Sequence, residues 1–157
     1  MRALVLAAAV VWLCGCAGRP SLTAAELPDD FGLSVTVLPG SDMQAAWYVL
    51  EPDGSLRAAI GERRHDSVRP GLVRRLSREQ VRHVWETVVD AGLADHDRHG
   101  QRVSPTASRA LGGAAIVELA AMGRRSTVAV GRADARTVDG VRKVVEELRS
   151  LAWAKGG

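Results

Sequence analysis

From Phe31 to Leu38 the chain alternates: Leu33, Val35 and Val37 point one way, Ser34 and Thr36 the other. A period of two is the mark of a half-buried strand, and Pro39-Gly40-Ser41-Asp42 ends it with turn-forming residues. Ala46 to Leu50 and Ser55 to Ile60 flank Glu51-Pro52-Asp53-Gly54. Proline presets the backbone for the turn and glycine accepts the left-handed position after it, so the stretch predicts a β-hairpin. Trp47 and Tyr48 are neighbours within it, so one faces each side of the sheet. Gly61 to Arg69 is dense in charge and reads as a loop, and Pro70-Gly71 leads into a further short strand over Leu72 to Arg75.

The period then changes. Val81, Val84, Trp85 and Val88 fall at i, i+3, i+4 and i+7, one face of a helix from Ser77 to Ala91. Ser77 with Gln80 forms a capping box, and Leu76 can staple onto Val81. Gly92 and Leu93 supply the C-terminal cap. Leu76, Val81, Trp85 and Val88 are therefore expected to be buried together. Ala94 to Leu111 is a long polar connection. Ala114 to Ala121 and Ser126 to Val130 form a second hairpin, with Gly123-Arg124 read as the central pair of a type II′ turn. Asp134 is the expected N-cap of a final helix to about Trp153, with Val138, Val141, Val144, Val145, Leu148 and Ala152 as its stripe. Gly140 lies in that helix, where it costs about 1 kcal/mol relative to alanine.

Hairpins are antiparallel by construction, and each helix has one apolar stripe. The economical fold is α+β: an antiparallel sheet built from β-hairpins, with two helices packed on one face. A hairpin followed by a helix occurs twice, a repetition of layout and not of residue identity. The body, residues 29–155, is one domain, large enough to bury roughly two-thirds of its unfolded surface without disulfides.

The N-terminus has a different character. Met1-Arg2 is followed by an unbroken apolar run from Ala3 to Leu13, too short for the about 20 residues of a spanning helix and suited to a secretory signal. It ends in Leu13-Cys14-Gly15-Cys16, which resembles the lipobox of bacterial lipoproteins. That resemblance implies a signal peptide over residues 1–15, cleavage before Cys16 and a covalent lipid on Cys16 as the sole prosthetic group. Residues 16–28 then serve as a lipidated tether. Ala17 stands where an aspartate would favour retention in the inner membrane. The implied location is the cell envelope, and the outer membrane, on its periplasmic or surface face, in a double-membraned organism. The body is similar to small bacterial lipoprotein domains of unknown function with a Tyr-x-Leu-x-Pro-Asp-Gly hairpin and a Leu-Ser-x-Glu-Gln helix start. Here these are Tyr48 to Gly54 and Leu76 to Gln80. The resemblance carries no active site to transfer.

Composition adds little chemistry. The 157 residues have a formal net charge of +3, which becomes +2 once Arg2 leaves with the signal. The predominance of arginine among the 21 basic residues fits coding bias, so nucleic acid is not an expected partner. Both cysteines, Cys14 and Cys16, lie in the N-terminal segment, which removes thiol catalysis from the body. His65-Asp66-Ser67 are sequence neighbours and cannot form a triad among themselves. No Gly-x-Ser-x-Gly or His-Glu-x-x-His motif is present, so the reading leans away from an enzyme. Asp95, His96, Asp97 and His99 form the one cluster with metal-ligand chemistry. They motivate an alternative reading as an envelope metal-binding protein or metal-dependent enzyme. His83 is expected on the solvent side of its helix. Trp47, Tyr48, Arg124 and Arg125 are candidate interface residues, toward an envelope protein or an anionic polymer. The membrane itself is the partner that the lipid implies.

Overall fold

The computed structural model describes residues 26–38, 43–61, 69–94, 113–131 and 135–153. Six strands form one antiparallel sheet: β1 (Gly32–Val37), β2 (Ala46–Leu50), β3 (Ser55–Ile60), β4 (Leu72–Arg75), β5 (Gly113–Ala121) and β6 (Arg124–Gly131). Their spatial order is β4-β3-β2-β1-β5-β6. Two helices, α1 (Arg78–Asp90) and α2 (Ala135–Trp153), complete the described residues. The fold class is α+β, with one sheet face under both helices.

Register explains which face that is. Leu33 pairs with Leu50, Val35 with Tyr48 and Val37 with Ala46. On the other side of β1 the same residues meet Leu119, Val117 and Ala115. Each of these is at most 2% exposed. With Leu56, Val128 and Val130 they make a continuous apolar floor. Phe31 and Leu38, expected at the ends of the first strand, lie just outside its ladder and are still buried at 1% each.

Helix α1 sits on this floor through Val81, Val84, Trp85 and Val88, all buried together with Leu76 as the periodicity requires. Trp85 meets Phe31 edge-on, ring centroids 5.1 Å apart. Both halves of the capping box form: the Gln80 amide donates to Ser77 Oγ at 3.2 Å, and the Ser77 amide donates to Gln80 Oε1 at 2.9 Å. At the other end Gly92 takes φ +70°. The Gly92 amide donates to the Val89 carbonyl at 2.8 Å and the Leu93 amide to the Val88 carbonyl at 3.1 Å. That pair of bonds is a Schellman cap. Helix α2 buries Val141, Val144, Val145, Leu148, Leu151 and Ala152. Its expected cap, Asp134, lies outside the described residues.

The structure gives Gly140 a reason to be glycine. A Cβ there would lie 3.0 Å from both the Cβ and the carbonyl oxygen of Ala91, the C-cap of α1. The two helices approach each other where one of them has no side chain.

The hairpin turns differ from each other. In the first, the Gly54 amide donates to the Glu51 carbonyl at 2.9 Å, and Gly54 holds φ +81°. A Cβ on Gly54 would fall 2.8 Å from the Leu76 carbonyl oxygen. Asp53 accepts from the Ser55 amide at 2.9 Å and hydroxyl at 3.0 Å, which holds its carboxyl below the usual range. The second turn corrects the expectation of a type II′ turn on Gly123-Arg124. Ala121 pairs with Arg124, so the two loop residues are Met122 and Gly123. Both have positive φ, 54° and 70°, which makes the turn type I′. Methionine rarely adopts that conformation. The Asp30 carboxylate holds it there, accepting from the Met122 amide at 2.6 Å and the Gly123 amide at 2.5 Å. Those amides pull the Asp30 pKa down from its ordinary value, against a smaller opposing effect of desolvation. Strand β4 is a bulged edge: Arg74 pairs with Leu56 and Leu72 with Arg57, which leaves Val73 over.

Two predictions follow from these contacts. Gly140→Ala should lower stability by about 1–3 kcal/mol through overpacking against Ala91, although alanine is the better helix former by about 1 kcal/mol; urea denaturation checks the sign. Asp30 has a lowered folded-state pKa, so its contribution is complete above the unfolded carboxylate value and disappears as pH falls through the folded one. The stability gap between the wild type and Asp30→Asn should therefore be widest near neutrality and close on acidification, read from denaturation midpoints across pH.

Candidate functional site

The face opposite the helices carries the residues of the alternate register. One row across it reads Leu72, Arg57, Val49, Ser34, Glu118, Thr127. The next reads Ala59, Trp47, Thr36, Ile116, Ala129. Gly32, Ala120 and Arg125 lie beyond the first row, toward the hairpin turns. A half-solvated antiparallel sheet ordinarily puts polar residues outward. Here small and apolar side chains outnumber the charged ones, which are Arg57, Glu118 and Arg125.

Trp47 and Tyr48 therefore part company. Trp47 is the outward one, half-buried on this face. Its indole nitrogen donates to Ser34 Oγ at 3.3 Å, so the ring leans from β2 across β1. Tyr48 is a core residue, 1% exposed, packed edge-on against Trp153 at 6.3 Å. Burial pushes its phenol pKa up, with Arg149 opposing. It leaves the set of candidate interface residues for that reason. Arg124 and Arg125 are both exposed at the start of β6. Arg125 pairs in register with Ala120 and belongs to the outer face, whereas Arg124 pairs with Ala121, a residue of the core face.

A shallow trough of about 350 Å³ runs over this face, lined among others by Gly32, Ser34, Val49, Pro52, Glu118 and Arg125. Gly32 and Ser34 floor it because they are small. Arg57 bonds Glu51 at 3.3 Å, and Arg69 also pairs with Glu51. Glu118 is exposed and has no ion pair among the described residues.

The other polar clusters are less suited to binding. A depression of about 460 Å³ between the helices is lined by Glu79, His83, Glu86 and Glu147. His83 is exposed, as its helical phase requires. Its Nδ1 lies 3.7 Å from Glu86 and its Nε2 3.9 Å from Glu147, so the two carboxylates flank the ring instead of converging on one point. Among the described residues no group of three or more His, Cys, Asp and Glu is arranged to hold a metal. Asp95, His96, Asp97 and His99 lie outside the described residues, as do Cys16 and the His65-Asp66-Ser67 stretch. Two exposed arginines near the first turn are paired already, Arg75 with Asp53 at 3.1 Å and Arg78 with Asp29 at 3.4 Å.

Sequence reasoning missed Ser34, Val49 and Glu118 as companions of Trp47. The alternation placed Ser34 and Glu118 outward, but nothing local set β5 beside β1. No family model matches the chain, and no curated protein matches it in sequence.

The opposite placement of two adjacent aromatics predicts opposite costs. Trp47→Ala should leave the fold intact at about 1 kcal/mol or less. Tyr48→Ala should cost about 3–5 kcal/mol, as for other large buried rings. Chemical denaturation of the two variants checks both values.

Proposed function

We propose that this chain is a lipid-anchored protein of the bacterial cell envelope, whose folded body is a non-enzymatic binding or accessory module. The observation that carries the reading is the ordered N-terminus: one arginine, an unbroken apolar run, and Cys16 three residues after Leu13. Each buried methylene of an acyl chain adds about 0.8 kcal/mol to membrane affinity, so two or three chains on one cysteine anchor firmly. The body supports the same reading. Leu27 packs against the core, and the Pro28 carbonyl accepts from the Phe31 amide at 3.1 Å, so the folded body includes the residues that follow the proposed tether. In this reading residues 16–28 are the tether, and a chain of that length spans at most roughly 40 Å. Among the described residues no helix is long and apolar enough to cross a membrane.

The outer sheet face is the working surface in this reading. It combines an aromatic ring, a small-residue floor and opposite charges, the ingredients of a recognition patch.

Cys16→Ser should release the protein from the membrane fraction without altering the circular dichroism or the melting temperature of its body. Metabolic labelling with a palmitate analogue should mark the wild type and not the variant. A variant that still sediments with membranes, or a wild type without label, sinks the anchor.

A further inference from the structure

The outer face is complementary to itself. The sheet has six strands, so its midline is the seam between β2 and β1. A twofold axis along that seam, lying between two stacked sheets, exchanges β3 with β5 and β2 with β1. The row Leu72–Arg57–Val49–Ser34–Glu118–Thr127 then faces its own reverse. Arg57 of one copy stands opposite Glu118 of the other, on both sides of the axis. Val49 stands opposite Ser34, large against small. Trp47, leaning over the seam to Ser34, lies at the axis and meets its own counterpart.

The charges fit this arrangement. Arg57 and Arg69 share the carboxylate of Glu51, so among the described residues this group on the β3 side has one more cation than anions. Glu118, at the mirror position on β5, supplies a carboxylate with no ion pair among the described residues. We propose that the second copy of this chain is the occupant of the outer face: two bodies pack sheet on sheet about the β1–β2 seam. The contact is isologous, so each pairing occurs twice and the assembly closes as a dimer. Ser34, Thr36, Ala59, Ala120 and Ala129 are short enough to let the sheets approach to about 10 Å, with strand directions about 30° apart. A paired tryptophan at the centre, ringed by charge pairs, is the usual composition of an interface hot spot.

Area sets the strength. Six strands at about 4.8 Å spacing, five or six residues long, present roughly 500 Å² per copy. The total of roughly 1,000 Å² is at the lower limit for a specific interface, so the dimer is a weak, reversible one. Two copies tethered to one membrane would meet at a raised effective concentration. That last point rests on the lipid anchor; the docking face does not.

Sedimentation equilibrium in detergent, on the full-length acylated chain and on Cys16→Ser, tests the proposal. Both should show a reversible monomer–dimer equilibrium. Glu118→Arg should raise the dissociation constant at least tenfold in both, with an unchanged melting temperature. Adding Arg57→Glu to Glu118→Arg should restore dimerisation, because the swap re-forms the same pairs across the axis. A monomer at every concentration overturns the proposal. So does association that Glu118→Arg leaves unchanged, or a loss that Arg57→Glu does not restore. Membrane fractionation of Cys16→Ser reports separately on the anchor, so either idea can fail without the other.

Discussion

Strand β1 carries two ladders, and everything else in the molecule is arranged around them. On one side it pairs with β2, a near neighbour in sequence. On the other it pairs with β5, from Gly32 opposite Ala120 to Val37 opposite Ala115, across a separation of about eighty to ninety residues. The second ladder joins the two hairpins into one sheet. An isolated hairpin is marginal in water, and neither offers a floor wide enough to seat both helices. Leu33, Val35 and Val37 are the centre of that floor, and Ser34 and Thr36 the centre of the opposite face. One residue of slippage in either ladder would exchange the two faces.

Contacts at the ends of the sheet secure that register. Asp30, two residues before β1, holds both amides of the β5–β6 turn and so ties the start of one strand to the far hairpin. Gly54 does the equivalent for the near hairpin. It accepts the Leu76 amide at 2.8 Å and thereby couples the β2–β3 turn to the entry of α1. The helices meet at Gly140 and Ala91, and this near-contact lets both fit over the same floor. A positive φ at Met122 and a glycine inside α2 look unfavourable in isolation. Each is stabilised by a partner that only the assembled sheet supplies.

The alternation of β1 gives the sheet two unlike faces. The core face is filled by both helices, and the outer face keeps a tryptophan among small residues with Arg57 and Glu118 on either side. A buried core needs only apolar volume. An outer face needs no aromatic ring for stability, and its presence there directs attention to what the face meets. In the reading proposed above, the N-terminal lipid holds the body near a surface and the sheet presents that face to a second copy.

The local elements were legible in the sequence because short-range forces decide them. The capping box at Ser77, the glycine cap at Gly92, the hairpin turn at Pro52 to Gly54 and the four-residue stripe of α1 need no distant partner. The apolar spacing also committed Leu76, Val81, Trp85 and Val88 to one buried face. The type I′ turn was misread because Asp30, which stabilises a left-handed Met122, is ninety-two residues away from it. Gly140 read as a local weakness because Ala91 comes from another helix. Which of Trp47 and Tyr48 faces inward was open by sequence alone: alternation fixes that they differ, and only the helices' choice of face decides which is covered. The outer row of Arg57, Val49, Ser34 and Glu118 is a product of register between strands far apart in the chain. Tertiary pairing alone sets such a row, because cross-strand neighbours are chosen by the burial of the opposite face and not by any signal of their own.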